Sequence, residues 1–291
     1  MAKGFYNPKL RRPLTICSDC AGEVLEIGPG VTRTKVGARV ALAFMPGWIA
    51  GASTDAVAKS ALGAFAQGVL AERVVESENG IVPIPEHLSF QEAATLPCAA
   101  VTAWHGLVVR SRMKAGDTVV TQGSGGVSVF ALQFAKLHGA RVISTSSSDE
   151  KLARLRALGA DDTINYKTTP DWEEAVRSLT GGEGAHHVVD VVGSAALTKS
   201  FKAARAGGNV ISIGVVSGGA DADIRYAFMK NVTVHGIFVG SREMFESMNR
   251  AITLAKLQPV IDRTFKLDQI KEALRHMEAG AHFGKIVIEV S

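Results

Sequence analysis

From about Lys114 onward, short apolar runs alternate with stretches of helical periodicity. Six runs rich in β-branched residues predict strands, namely DTVVTQ, ARVIST, DTINY, HHVVDVVG, NVISIGVV and VTVHGIFVG. The intervening stretches GVSVFALQFAKLHG, DEKLARLRALG, DWEEAVRSLT and ALTKSFKAARAGG predict helices. Strands that alternate with helices need right-handed crossovers, which produce a parallel sheet covered on both faces. We therefore predict an α/β fold with a doubly wound, six-stranded parallel sheet.

The residues before Lys114 follow a different pattern. CAGEVLEIGPG, GARVALAF and GVLAERVVES predict short strands separated by Gly/Pro turns, as in a small antiparallel barrel. After the sixth strand, SREMFESMNRAITLAKLQ and DQIKEALRHMEAG predict helices, and VIDRTFKL and GKIVIEV predict strands. We place the sheet domain at residues 94–241 and an antiparallel β domain at residues 1–93, which residues 242–291 complete.

Composition and charge narrow the class of protein. The 291 residues are 46% hydrophobic and 21% charged, and three cysteines are too few for a disulfide framework, which favours a cytoplasmic location. The first residues lack the apolar segment of a signal peptide, and the longest apolar run is too short to cross a membrane. A net charge of +4 suits a small anionic ligand as well as nucleic acid. Because no basic run stands out, we predict neither a nucleic-acid nor a membrane partner.

A glycine-rich turn follows the first strand of the sheet and opens the first helix. In VVTQGSGGVS, Gly123, Gly125 and Ser128 occupy the three small-residue positions of a dinucleotide-binding turn. Gly123 permits a tight turn, and Gly125 lets the backbone approach a pyrophosphate, towards which the helix directs free N–H groups. Ser128 replaces a glycine but is small enough for close packing of helix and strand. A turn without a ligand is the alternative, which the strand–turn–helix context disfavours.

The end of the second strand bears on the choice of dinucleotide. It lacks the acid that binds an adenosine ribose diol, and small hydroxyl residues, Ser146 and Ser147, follow Thr145 instead. Asp149 falls in the first helical turn, where acids are common because of the helix dipole. Lys151 supplies positive charge for a 2′-phosphate, with a solvated helix residue as the alternative. We predict NADPH, with NADH as the second choice.

With these residues placed, the chain resembles the medium-chain dehydrogenase/reductase superfamily, in its zinc-free quinone oxidoreductase-like and alcohol dehydrogenase-like branch. The resemblance covers nearly the whole chain and rests on GPGVTRTKVGARV, IPEHLSFQEAATLPCAAVTAWHGL, the segment from VTQGSGG to DDTINY, and AHFGKIVIEV. It implies a Rossmann domain and a GroES-like β domain, with substrate and nicotinamide in the cleft between them. It also implies hydride transfer, dependent on NADPH, to or from a quinone, enone, aldehyde or alcohol.

The resemblance bears on the stretch CSDC near the start of the chain. Zinc-dependent relatives carry Gly-His-Glu where this chain has CSD, so Ser18 stands at a ligand histidine and Asp19 at the glutamate. Cys98 falls at another ligand position. One thiol and a neutral hydroxyl are a poor donor set for zinc, and we expect no metal. We interpret Cys17 and Cys20 as small buried residues beside a strand. A metal site and a redox pair are the alternatives to this interpretation.

Family members of this kind begin several dozen residues before MAKGFYNP, with further barrel strands and a segment that lines the substrate pocket. We therefore expect an incomplete GroES-like domain with an unpaired strand edge. The shortened segment could result from a true deletion or from a misassigned start of the sequence, and both explanations are open. Two other functions remain as alternatives: a zinc-dependent alcohol dehydrogenase, and a non-catalytic NADPH-binding protein that has lost part of its active site.

The resemblance also assigns individual positions. The expected cofactor contacts are Thr102, Gly123, Ser124, Gly125, Gly126, Val127, Ser146, Ser147, Lys151, Tyr166, Gly193, Gly214, Val215, Phe238, Val239 and Gly240. Phe44 and Trp48 are candidates for the wall of the substrate pocket. His105 is a candidate proton donor, with a structural role for it and a proton from solvent as the alternatives.

Two further expectations concern the sheet. His186 and His187 are interpreted as turn residues ahead of a strand, and His235 as a residue of the last strand. That strand should lie at the edge of the sheet and pair with the same strand of a second copy, which predicts a homodimer.

Overall fold

The computed structural model describes residues 13–214 and 221–290. The chain forms two compact units: unit 1 comprises residues 1–101 and 239–291, and unit 2 comprises residues 102–238. The strands are β1 (Ala21–Glu23), β2 (Arg39–Leu42), β3 (Ile81–Pro83), β4 (Thr118–Gln122), β5 (Arg141–Ser146), β6 (Asp162–Asn165), β7 (Ala185–Asp190), β8 (Ala204–Ser212), β9 (Thr233–Gly236), β10 (Ile261–Lys266) and β11 (Lys285–Glu289).

The helices are α1 (Asp55–Ala58), α2 (Phe90–Ala93), α3 (Val101–Trp104), α4 (Gly126–Leu137), α5 (Asp149–Ala157), α6 (Trp172–Leu179), α7 (Ser194–Ala203), α8 (Arg225–Met229), α9 (Arg242–Ala255) and α10 (Ile270–Glu278). Short segments of tighter or wider helix occur at Glu78–Gly80, Leu96–Ala100, His105–Arg110 and Leu267–Gln269. None of the helices in the described ranges is long and apolar enough to cross a membrane.

Unit 2 contains the predicted six-stranded sheet. All its strands are parallel, in the order β6-β5-β4-β7-β8-β9. The five residues of β4 are all buried, as expected for a central strand covered on both faces. The strand order reverses direction between β4 and β7, and in sheets of this kind ligands bind outside the carboxyl ends of the strands at that point. The Rossmann prediction is confirmed.

Close packing joins the helices of unit 2 to its sheet. On one face Phe134 of α4 is fully buried and meets Trp104 edge to face, with ring centroids 5.4 Å apart. A Cβ at Gly106 would come within 2.5 Å of the side chain of Ile211, so a glycine is needed there. On the other face Trp172 and Phe201 pack with Val120 and Val188. Buried aromatic and β-branched side chains therefore hold the sheet in place from both sides.

Unit 1 contains a three-stranded antiparallel sheet, β1-β2-β3, and a parallel pair, β10-β11. Helix α9 is tied to the sheet because Asn249 donates from Nδ2 to the carbonyl of Pro83 at 3.0 Å. The strand predicted over GVLAERVVES is wrong. Its first residues pair with residues 15–17 through the amide of Val69, which donates to Cys17, and residues 71–77 form no regular element. Val75 is therefore left fully exposed.

Candidate functional site

The turn between β4 and α4 has the backbone that a phosphate cradle requires. Gly123 has φ +77°, and its amide donates to the carbonyl of Thr145 at 2.8 Å, which fixes the turn against β5. Gly125 is the N-cap of α4 and offers no side chain to the first amides of the helix. A Cβ on either glycine would meet no atom within 4 Å, so the space above the turn is open. Uncapped amides under open space fit a pyrophosphate.

Ser128 explains how the turn works without its third glycine. Its hydroxyl donates to the carbonyl of Gln122 at 2.6 Å, and the residue is buried. The bond ties the first turn of α4 to the last residue of β4. The sequence predicted that a small residue was needed for close packing; it gave no signal for the hydrogen bond.

The acid nearest the end of β5 is engaged by another side chain. Asp149 accepts from Nδ2 of Asn165 at 2.7 Å, so a neighbouring strand engages its carboxylate. Ser146 is buried and Ser147 is half-buried at the strand end, while Tyr166 is partly exposed. Lys151 lies in the first turn of α5. The end of β5 therefore carries serine residues and is followed by a helix whose first turn contains a lysine.

Two glycines predicted to contact the cofactor lie against each other at the ends of β7 and β8. Gly193 has φ +97°, and a Cβ on Gly214 would come within 2.3 Å of the carbonyl carbon of Val191 and 2.6 Å of the amide nitrogen of Gly193. The structure therefore brings the cradle, the end of β5 and this glycine pair to the carboxyl edge of one sheet. Val215 lies outside the described residues.

The remaining predicted contacts are divided between the units. Thr102 is buried in unit 2, and Phe238 is its last residue and is exposed. Val239 and Gly240 are buried in unit 1, and Val239 has φ +54°.

The two candidates for the substrate wall lie in unit 1 and are both buried. Trp48 donates from Nε1 to the carbonyl of Gly51 at 3.0 Å, and its own carbonyl accepts from the amide of Arg242 at 2.9 Å. Phe44 accepts at its carbonyl from the amide of Leu62 at 3.0 Å. These bonds hold the loop after β2 in a defined conformation. Their role as a substrate wall remains a prediction.

The histidines His105, His186 and His187 all lie in unit 2. The interpretation of His186 and His187 as turn residues is wrong, because both lie in β7. His187 is 3% exposed, with Nε2 2.9 Å from Oδ2 of Asp117, and burial lowers its pKa. This pair lies at the amino-terminal edge of the sheet, opposite the cradle. His105 is buried within the segment His105–Arg110.

An ion pair occupies the neighbourhood of CSDC in unit 1. Lys285 of β11 places Nζ 3.4 Å from Oδ2 of Asp19, and Ser18 donates from Oγ to Oδ1 of Asp19 at 2.6 Å. Burial lowers the pKa of Lys285, but attraction to Asp19 and then to Cys98 outweighs it, so the pKa is raised. The side chain therefore stays cationic. Sequence reasoning missed this lysine because 266 positions separate it from Asp19.

These donors do not fit a zinc ion. Across residues 13–214 and 221–290, no three His, Cys, Asp or Glu side chains are grouped closely enough to hold a metal. Asp19 already pairs with an ammonium group, which would repel a second cation. Burial raises the pKa of Cys20 to about 12, so its thiol stays protonated at neutral pH.

The prediction that both cysteines of this stretch are buried is wrong for Cys17. The residue is exposed and has φ +66°, in the left-handed region. Its carbonyl accepts from the amide of Val69 at 3.0 Å. Cys20 is half-buried.

We expect Cys20 to react with iodoacetamide at least 100-fold more slowly than a free cysteine at pH 7.5. Only the thiolate reacts, and a pKa of about 12 leaves very little of it. Peptide mass spectrometry of briefly alkylated native protein measures the rate, with urea-unfolded protein as the control. Fast labelling of Cys20 in the folded state, or a Cys17–Cys20 disulfide, would contradict this expectation.

Comparisons with known proteins agree with the fold. Residues 126–254 match the zinc-binding dehydrogenase family, and residues 1–86 match the alcohol dehydrogenase GroES-like domain. The chain is 40% identical over 297 residues to the zinc-type alcohol dehydrogenase-like protein C1773.06c of Schizosaccharomyces pombe. The alignment covers 100% of this chain and 86% of that protein. The chain belongs to the medium-chain dehydrogenase/reductase superfamily, among its alcohol dehydrogenase-like members.

Two solved structures show the same architecture. An NAD-dependent alcohol dehydrogenase has a TM-score of 0.88 at 37% identity, with 99% of this chain and 86% of that chain covered. The 2-octenoyl-CoA carboxylase reductase CinF, in complex with NADP and 2-octenoyl-CoA, has a TM-score of 0.84 at 28% identity, with 99% and 71% covered. Relatives and neighbours are NAD(P)-dependent dehydrogenases and reductases, and this chain is an oxidoreductase of the same kind.

Proposed function

We propose that the protein is a zinc-free, NADPH-dependent oxidoreductase that transfers hydride to or from a quinone, enone, aldehyde or alcohol. The observation that carries the proposal is the cradle formed by Gly123 and Gly125 at the switch point of the sheet, where the space above both glycines is open and no side chain caps the first amides of α4. A bound enoyl-CoA in CinF supports an enone among the substrate classes.

The residues of the chain would bind the cofactor and the substrate and orient them, while the cofactor would supply the reactive hydride. The cradle would hold the pyrophosphate, and Ser146 and Ser147 at the end of β5, with Lys151, would hold the 2′-phosphate end. When an acceptor carbon receives the hydride with its electron pair, a proton must reach the oxygen or the adjacent carbon. Because the candidate donor His105 is buried, we assign that proton to solvent.

Turnover tests the proposal directly. Purified protein is mixed with NADPH and a panel of quinones, enones and aldehydes, and the loss of reduced-nicotinamide absorbance is followed. Steady consumption with at least one class is the expected result. Tight binding of NADPH without consumption across the panel would favour the non-catalytic alternative.

The zinc-dependent alcohol dehydrogenase remains the second candidate, because the matched family model is that of zinc-binding dehydrogenases. The ion pair between Lys285 and Asp19 opposes it. Metal analysis of protein purified without chelator separates the two. One zinc per chain, with loss of activity on chelation, would make the second candidate correct.

We predict that NADPH binds at least tenfold more tightly than NADH. The basis of this prediction is the end of β5, where Ser146 and Ser147 leave room for a 2′-phosphate. The nearby acid, Asp149, is engaged by Asn165. Fluorescence titration measures both dissociation constants. Lys151→Ala should reduce the preference, whereas Lys256→Ala, in unit 1, should leave it unchanged. Tighter binding of NADH would overturn the assignment.

We also propose a homodimer formed through β9, which is an edge strand of its sheet. Its exposed Val234 is accompanied by large exposed apolar side chains in and beside α8, namely Ile224, Phe228 and Met229. Pairing two such edges would cover them. Sedimentation should show a dimer, and Val234→Lys should shift it towards the monomer, while Leu254→Lys, at an exposed position of α9 in unit 1, should not. A monomeric wild type would refute this. The low cysteine content, three in 291 residues, supports a cytoplasmic location.

A further inference from the structure

Three buried polar side chains form a hydrogen-bonded chain beside the cradle. Ser200 of α7 donates from Oγ to Oδ2 of Asp190 at 2.6 Å, and Gln122 donates from Nε2 to Oγ of Ser200 at 2.8 Å. Asp190 and Ser200 are fully buried, and Gln122 is 3% exposed. The chain links the last residue of β7 to the last residue of β4, which is also the residue that precedes Gly123. We call these three side chains the relay.

The chemistry of the three groups gives the relay a direction. A carboxylate can only accept, so the hydroxyl proton of Ser200 must point at Asp190. The oxygen of Ser200 is then available to accept, and the amide of Gln122 must present its NH₂ to it. Oε1 of Gln122 is left buried with no hydrogen-bond partner within the described ranges. The charge on Asp190 therefore sets the orientation of a side chain at the base of the cradle.

The other oxygen of Asp190 acts on the turn that follows β7. Oδ1 accepts from the amide of Val192 at 3.0 Å and from that of Gly193 at 2.8 Å. The backbone carbonyl of Asp190 accepts from the amide of Gly214 at 3.1 Å. One residue thus holds both glycines of the pair that faces the switch point.

We propose that Asp190 is a positioning residue for the dinucleotide: through Ser200 and Gln122 it locks the turn at residues 191–193 to the cradle. Binding along the switch point needs both parts in place at once, since each meets a different portion of one extended ligand. The relay holds them in that arrangement before the ligand arrives. This inference rests on the proposed dinucleotide site and adds the residues that organise it.

A second buried pair in the same sheet provides a matched comparison. Thr121 and Ser144 place their hydroxyl oxygens 2.8 Å apart and are both fully buried. Thr121 precedes Gln122 in β4, so its side chain points to the opposite face of the sheet. The pair joins β4 to β5 and does not reach the turn after β7. A purely structural account expects the loss of either serine hydroxyl to have the same effect.

The experiment compares Ser200→Ala with Ser144→Ala in the full chain, by thermal unfolding and by calorimetric titration with NADPH. Both variants should lose a similar amount of thermal stability. The dissociation constant should rise at least tenfold in Ser200→Ala and change less than twofold in Ser144→Ala. Asp190→Asn should weaken binding as well, because an amide in place of Oδ2 donates to Ser200 and reverses the relay.

The outcomes separate the two proposals. If wild-type protein binds neither NADPH nor NADH, the proposed function fails and the relay proposal fails with it. If wild type binds and both serine variants bind equally well, only the relay proposal is overturned. Should Ser200→Ala not fold, Gln122→Leu carries the same expectation, and unchanged affinity in that variant overturns the relay.

Discussion

Gly125→Asp is expected to raise the dissociation constant for NADPH at least 100-fold, about 2.7 kcal/mol, without loss of stability. The backbone at Gly125 has φ −78° and ψ 176°, which any residue adopts, and a Cβ there meets no atom within 4 Å. Aspartate is also a favourable N-cap residue, so α4 should form as before. Its carboxylate would lie where the cradle receives a pyrophosphate and would repel it. Calorimetric titration and thermal unfolding measure the two effects.

Gly28→Asp is the control for this prediction. It introduces the same charge in unit 1, at a glycine where a Cβ also meets no atom within 4 Å. NADPH affinity should stay within twofold of wild type. If Gly125→Asp binds NADPH as tightly as Gly28→Asp does, the turn between β4 and α4 is not the phosphate site.

Gly214→Ala is expected to destabilise the protein by about 1–3 kcal/mol or more, the usual result of overpacking a close contact. The added methyl group would lie 2.3 Å from the carbonyl carbon and oxygen of Val191, so backbone has to move. Asp190 resists the movement because its side chain holds the amides of Val192 and Gly193. Urea unfolding measures the loss, and NADPH affinity should fall with it.

The control here is Gly236→Ala in the same unit, where a Cβ meets no atom within 4 Å. We expect a change within about 0.5 kcal/mol, as for substitutions away from tight contacts. Equal stability of the two variants would show that the turn at residues 191–193 can move to accept the methyl group without a loss in the free energy of unfolding.

Local patterns predicted the sheet and the strand–turn–helix unit that contains the glycine-rich turn. β4 is an unbroken apolar run followed by glycines and a helix, and each of these signals lies within about a dozen residues of the others. The prediction of a strand over GVLAERVVES failed although the segment has the periodicity of a strand. In the described structure no neighbouring strand pairs with residues 71–77. A strand is stable only beside another strand, and one segment of sequence does not show its partner.

The rest of the site depends on contacts between distant positions. Lys285 and Asp19 meet across 266 residues, and Gln122 and Ser200 across 78. A signal for Asp190 did exist, since an acid that ends a buried apolar strand needs donors, and Gly193 follows three positions later. His187 was misinterpreted because a histidine beside a strand gives no sign of an aspartate 70 positions away.

The division of the chain has a consequence for its synthesis. Unit 2 is continuous, whereas unit 1 needs both residues before Thr102 and residues after Phe238. β11, which carries Lys285 to Asp19, follows unit 2 in the chain and is translated after it. The nascent chain can therefore complete its Rossmann sheet while the residues before Thr102 still lack the helices and strands that follow Phe238, so unit 2 can fold before unit 1.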